Sequence, residues 1–133
     1  MPLSLEIVTP EARVVTVTCD EVRLTSVEGQ FGIRAGHTPL VAALAAGELV
    51  YVASGTAHRY AAGEGFAEVS NDRVRVLVEE AIRAEDLDAQ RATQELQDRQ
   101  KKLASIQPGD PAYDQERAQV ERAAARALVA RRS

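Results

Sequence analysis

Few residues in this chain are equipped for nucleophilic or metal chemistry. It carries two histidines, His37 and His58, and one cysteine, Cys19. His37 lies in a glycine-rich segment and His58 in a presumed strand, so a two-histidine metal site has no support. Cys19 precedes Asp20 with no histidine close in sequence, and no serine sits in a nucleophile-elbow motif. No nucleophile–base pair is therefore visible, and Cys19 reads as a small core residue. A lone cysteine also rules out an internal disulfide and a multi-cysteine zinc site. The paired acids Glu79 and Glu80 close a strand and read as solvated.

Two segments carry more information. The first runs from Ser26 to Leu40 and holds Gly29, Gly32 and Gly36 with His37 and Pro39. Glycines this dense imply positive φ angles or close backbone approach. No Gly-Lys-Ser/Thr follows, so the segment is not a phosphate loop. On the residues alone it reads as a tight loop crossing between sheets, with His37 a hydrogen-bonded loop histidine. The second segment is the C-terminus. Its last acid is Glu121, after which come Arg122, Arg126, Arg131 and Arg132. Arg122 and Arg126 are four residues apart and share a helix face. Either these arginines form a solvated face that complements the helix dipole, or they dock an acidic partner or an anionic ligand.

The chain that positions them has 133 residues in all, 45% hydrophobic and 27% charged, with a formal net charge of −4. That is enough to bury a core, and the acidic balance argues against a nucleic-acid binder. The longest clean apolar run, Leu40 to Ala46, has seven residues, far short of the roughly 20 that span a bilayer. The alternating segment directly after Met1-Pro2 leaves no signal pattern, so a cytosolic chain is expected.

Composition changes near Arg83: seven of the eight glycines precede it, and the remainder is rich in Ala, Gln, Glu and Arg. The expected fold class is β followed by α: an N-terminal β-sandwich or flattened barrel over residues 1–84, then an antiparallel two-helix hairpin over residues 85–133. Leu3, Leu5 and Ile7, then Val22 and Leu24, then Val74, Val76 and Val78 alternate with polar residues, the pattern of half-buried antiparallel strands. Eight or nine short strands are expected, punctuated by turns at Thr9-Pro10, Ser54-Gly55, Gly63-Glu64-Gly65 and Asn71-Asp72. The first helix should run from Asp86 to Ser105 and the second from Pro111, at its first helical position, to Arg131. Leu87, Ala89, Ala92, Leu96 and Leu103 would face Tyr113, Val120, Ala124, Ala127 and Leu128 in a thin seam.

These residues resemble a known family over nearly the whole chain: the epsilon subunit of bacterial F-type ATP synthase. The resemblance rests on Glu28-Gly29, Gly32-Ile33, Gly36-His37 and Pro39-Leu40 at fixed spacing. It also rests on Val74 with Val76-Leu77, on Ala81-Ile82-Arg83-Ala84-Glu85-Asp86-Leu87-Asp88, and on the Ala-rich hairpin that follows. It implies a non-catalytic regulatory and coupling subunit of the rotor stalk, peripheral on the cytoplasmic face of the bacterial inner membrane, with no direct membrane insertion. Its implied partners are the gamma subunit, the c-ring and a catalytic beta subunit. Glu28, Gly29, Gln30, Phe31, Gly32 and His37 would lie in the loop facing gamma and the c-ring. The hairpin would fold down on the sandwich or extend along gamma, and the basic end (Arg122, Arg126, Arg131, Arg132) would meet an acidic segment of beta and impede ATP hydrolysis. Asp88 and Arg91, with Arg122 and Arg126, match the family's ATP-binding residues, so an ATP sensor is the alternative function. Ile82 and Asp98 depart from that pattern, which implies no cofactor and weak ATP binding at most.

Overall fold

A computed structural model describes residues 2–132. Ten strands form one continuous sheet that folds over into a flattened barrel: β1 (Leu3–Val8), β2 (Arg13–Cys19), β3 (Glu21–Ser26), β4 (Gly29–Arg34), β5 (Leu40–Leu44), β6 (Gly47–Ala53), β7 (Thr56–Ala62), β8 (Gly65–Ser70), β9 (Arg73–Val78) and β10 (Ala81–Arg83). Their order is β10-β7-β6-β3-β5-β8-β9-β1-β2, with β4 paired to β3 outside that path. A short 3₁₀ turn, Ala84–Asp86, leads to α1 (Ala89–Ala104) and α2 (Tyr113–Arg132), which pack as a hairpin.

Period-two alternation produces the barrel. Leu3, Leu5 and Ile7 of β1 are 0–1% exposed, while Ser4 between them faces outward. They meet Val22, Leu24, Ile33, Leu49, Val69, Val74 and Val76 in a single apolar core that contains no helical residue. Cys19 lies in that core, where burial first, and the charge of Asp20 second, push its thiol pKa up. Inserting β1 parallel to β9, in register from Ser4↔Arg73 to Val8↔Leu77, joins the chain's first strand to its late ones. Ser54-Gly55 and Asn71-Asp72 all have positive φ, which makes the β6–β7 and β8–β9 connections tight hairpins whose twist matches their strands.

Several sequence expectations are corrected. The segment from Ser26 to Leu40 is not a loop crossing between sheets. It forms the tip of a hairpin, the whole of β4 with Gln30 and Phe31 on it, and a turn before β5. Glycine content hid this strand, and β10 is only three residues long, so the count rises from eight or nine to ten. Of the three glycines, Gly29 and Gly36 have positive φ (127° and 84°); Gly32 is an ordinary strand residue. The first helix begins at Ala89, because Asp86 belongs to the 3₁₀ turn and the Asp88 carboxylate caps α1 by accepting the Arg91 N–H at 2.9 Å. Pro111 lies in a turn ahead of α2, held by Asp110, whose carboxylate accepts the Ala112 N–H at 2.8 Å.

The seam is also wider than expected. Ala124 is exposed, and Ala123, Ala125, Ala127, Val129 and Ala130 are buried. Two faces of α2 are covered: Ala127 and Ala130 pack with Ala92, Leu87 and Leu96 of the hairpin, and Val129 packs with Ala61 of the sandwich and Ala84. A helix buried on two sides loses the one-stripe pattern from which a seam is read.

Candidate partner surfaces

The β3–β4 hairpin tip is built by Ser26. Its hydroxyl donates to the Gly29 carbonyl at 2.6 Å and accepts the Glu28 N–H at 3.1 Å, which turns Val27 outward at 68% exposure. Residues 26–31 and 40–43 enclose an open groove of about 520 Å³ between the tip and β5. Glu28, Gly29, Gln30 and Phe31 all line it, as does Val41, 72% exposed. Cross-strand register carries the apolar surface onward: Ala43 pairs with Phe66 of β8, 57% exposed, Phe66 with Leu77 of β9, and Leu77 with Val8 of β1. Large apolar side chains contiguous in this way mark an interaction surface on a protein of this size.

The other two residues expected in this cluster lie apart from the groove lining. Gly32 faces outward beside Gln30 and Arg34, and an added Cβ would approach nothing closer than a Glu21 carboxylate oxygen at 3.9 Å. His37 sits in the turn before β5. Its N–H donates to the Arg34 carbonyl at 3.2 Å, and its Nδ1 lies 2.7 Å from the Thr38 carbonyl oxygen. The Gly36 N–H donates to Asp72 at 2.7 Å, tying this turn to the β8–β9 hairpin.

Three of the four C-terminal arginines, Arg122, Arg126 and Arg132, are paired with acids of the sandwich. Arg122 grips Glu64, in the turn between β7 and β8, through two parallel hydrogen bonds of 2.9 and 2.6 Å. Arg126, its side chain only 12% exposed, reaches Glu80 between β9 and β10 with one nitrogen and Glu95 of α1 with another at 2.7 Å. Glu80 is therefore ion-paired, against the expectation that both paired acids are solvated. Arg132 donates at 3.0 Å to Glu48 of β6, a buried carboxylate that also accepts from Arg59 at 2.9 Å. Arg131 is exposed. The Arg122 hydrogen bonds hold the Glu64 carboxyl below its ordinary pKa, and Glu64 in turn raises that of Arg122.

At the far end of the hairpin, buried Glu116 of α2 accepts from Arg99 of α1 at 3.1 Å and pairs with Lys102 at 3.4 Å. Burial works against its charge, but the two cations outweigh it and its pKa is lowered. The ion-pairing roles of Glu48, Glu64, Glu80, Glu95 and Glu116 are not visible in the sequence. Two of these acids nonetheless stand out in it: Glu48 interrupts the apolar run Gly47–Val50, and Glu64 stands between two glycines.

The residues matched to nucleotide binding are otherwise employed. Asp88 is the cap of α1, Arg91 is exposed in its first turn, and Arg122 and Arg126 bind carboxylates. No hydrogen bond or ion pair joins Asp88 or Arg91 to either arginine among the described residues. Ile82 is half-buried opposite Ala61, and Asp98 accepts from Gln94 at 3.1 Å. No group of acids, histidines and cysteines placed to hold a metal occurs among the described residues, and no helix there is long and apolar enough to cross a membrane.

Comparison with known proteins aligns with this geometry. Residues 2–84 match the family described as ATP synthase, Delta/Epsilon chain, beta-sandwich domain. The chain is 48% identical to an ATP synthase epsilon chain of Anaeromyxobacter sp. (strain Fw109-5), covering 99% of this chain and all of the relative. It is 38% identical to that of Geotalea daltonii, over 98% of this chain and 95% of the relative. Its fold superposes with a TM-score of 0.80 on a chain from the Euglena gracilis mitochondrial ATP synthase structure comprising OSCP, F1 and c-ring, at 24% identity, covering 99% of this chain and 82% of the other. A chain from the central stalk and c-ring structure of the Tetrahymena thermophila enzyme gives 0.64 at 11% identity, covering 100% and 98%.

Proposed function

The chain belongs to the epsilon-chain family of ATP synthase, a stalk subunit and not the catalytic one, and from that premise we propose that it couples gamma to the c-ring and restrains ATP hydrolysis. The groove at the β3–β4 tip, with the apolar band from Val41 through Phe66 to Val8, is the face that binds the rotor. The hairpin is the regulatory arm: extended, it presents its arginines to an acidic segment of a catalytic beta subunit. The subunit works as a peripheral component on the cytoplasmic face of the bacterial inner membrane.

One observation carries the rotor assignment: Val27, Val41 and Phe66, each more than half exposed, adjoin the groove lined by Glu28, Gly29, Gln30 and Phe31. Burying such side chains stabilises by about 1.5–3 kcal/mol each, so a partner surface explains their exposure. The test is reconstitution of Val41→Asp with Phe66→Asp. Association with gamma and the c-ring should fall at least a hundredfold while the isolated subunit keeps its melting temperature within a few degrees. Undiminished association would move the rotor interface elsewhere on the molecule.

No observation favours the ATP-sensor alternative. Arg122 and Arg126 already donate to carboxylates, and a phosphate would have to displace these.

A further inference from the structure

We propose that the outer face of the sandwich carries an anion site. It takes a small ligand with two linked anionic groups, of the diphosphate class, between Arg23 and Arg59, and Arg132 of α2 closes it on one side. None of the residues matched to nucleotide binding, Asp88, Arg91, Arg122 or Arg126, lines it.

Strand register builds the site. Arg23 of β3 stands opposite Val50 of β6, and Val50 stands opposite Arg59 of β7. Residues directly opposite on neighbouring antiparallel strands share a face, so the two arginines rise from one face about 10 Å apart at the backbone, two strand spacings. Glu48 lies two residues from Val50 and shares that face. Gln30 of β4 pairs with Thr25, two residues from Arg23, and shares it as well. Arg132, the last residue of α2, reaches in from above. Together these side chains enclose a cavity of about 370 Å³ over buried Val50.

The charges there do not cancel. Arg23, Arg59 and Arg132 meet only Glu48 among the lining residues, which leaves an excess of positive charge in a chain whose formal net charge is −4. Glu21, which accepts from Arg23 outside the lining, also accepts from Arg34, so that second pair leaves the balance unchanged.

The guanidiniums also keep donors in reserve. Arg23 gives its Nε to Glu21, Arg59 gives one Nη to Glu48 at 2.9 Å, and Arg132 gives one Nη to the other Glu48 oxygen at 3.0 Å. Among the described residues each of them commits a single nitrogen, whereas Arg122 and Arg126 each commit two. Glu48, buried and held from both sides, fixes two of the three side chains at the rim. Uncommitted guanidinium nitrogens around one space suit the paired oxygens of a phosphate. A single anionic centre meets one rim of the cavity. Two linked centres meet Arg23 and Arg59 at once, which sets the preference for a diphosphate over a lone phosphate.

The experiment titrates the isolated full chain with pyrophosphate, and separately with inorganic phosphate, by calorimetry at one low ionic strength. The arginine Nε–H signals are followed by NMR. Pyrophosphate should bind at one site, at least tenfold more tightly than phosphate, and should shift the signals of Arg23, Arg59 and Arg132. Arg23→Gln should weaken it tenfold or more; the Arg23 side chain is more than half exposed and Glu21 keeps Arg34, so the fold is retained. The matched control is Arg75→Gln, another exposed arginine that shares its carboxylate, Glu6, with a second arginine, Arg13. That variant should keep its affinity within twofold. Equal affinity for the two anions would overturn the two-centred ligand. Equal weakening by Arg23→Gln and Arg75→Gln would reduce the binding to general charge attraction and overturn the site. Shifts at Arg122 and Arg126 in place of Arg23 and Arg59, or no heat and no shift at millimolar pyrophosphate, would overturn it as well.

Discussion

Gly32 and Glu64 are the residues where chemistry and fold separate most cleanly. Gly32 has ordinary strand geometry and open space where a side chain would begin, so nothing within the chain requires glycine there. Its outward position beside Gln30 suits a partner backbone that approaches closely. Gly32→Val should leave the melting temperature within a few degrees, since a β-branched residue suits a strand, and should weaken association with gamma or the c-ring tenfold or more. Equal loss of folding and binding, read by calorimetry and by co-purification, would assign the glycine an internal role. Glu64 makes a pH prediction. Arg122 lowers its pKa in the closed state, so the stabilisation is fully present above the ordinary carboxylate value of about 4.3 and is lost as pH falls through the lowered one. Glu79 and Glu80 also face Arg122, and Glu80 pairs with Arg126. The melting temperature of the full chain should fall from pH 6 to pH 3 as this pairing is lost. Glu64→Gln should lower the melting temperature already at pH 6 and flatten the profile.

Among elements, the sandwich and the hairpin divide the work. The barrel core draws on strands alone, which motivates truncation after Ala84. Removing the hairpin uncovers Ala61 and strips Arg132 from Glu48, but Arg59 stays on that carboxylate. The loss includes the contact made by buried Val129, about 1.5–3 kcal/mol, and leaves the core intact. The truncated chain should therefore unfold cooperatively on heating with a dispersed amide spectrum; collapsed dispersion would show that the hairpin is needed to fold the sandwich. The strands of this domain were legible where one face is buried and the other wet, as in Leu3, Leu5 and Ile7 or Val74, Val76 and Val78. Gly29-Gln30-Phe31-Gly32 hides its strand because glycine supplies no side chain to alternate. The groove residues were found through family spacing, which marks positions without saying that they lie on a strand. The pairing of the acids that meet the hairpin is not legible, because ion pairs such as Arg132 with Glu48, 84 residues apart, depend on how the chain closes.

For the molecule as a whole, the C-terminal arginines have two opposing uses. Arg122, Arg126 and Arg132 hold the hairpin against the sandwich, and under the proposed function they also grip a catalytic subunit when it extends. Replacing all of them with Ala releases the hairpin and disarms it together, so hydrolysis by the reconstituted complex should rise even though the hairpin opens. Glu64→Gln with Glu80→Gln releases the hairpin with its charges intact, so hydrolysis should fall. Arg131 is exposed in the closed state and makes no hydrogen bond or ion pair there among the described residues. Arg131→Ala should therefore raise hydrolysis modestly, roughly two- to fivefold for one screened charge contact worth under about 1 kcal/mol, with the melting temperature of the isolated chain unchanged. Salt sharpens the comparison, because added ions screen both the docking pairs and the inhibitory contact. Wild-type inhibition should peak at intermediate salt, where the docking pairs have loosened and the steering between unlike charges has not yet been lost. A monotonic salt profile, or an Arg131→Ala complex that hydrolyses ATP at the wild-type rate, would mean that the basic end is a clasp for the sandwich and nothing more.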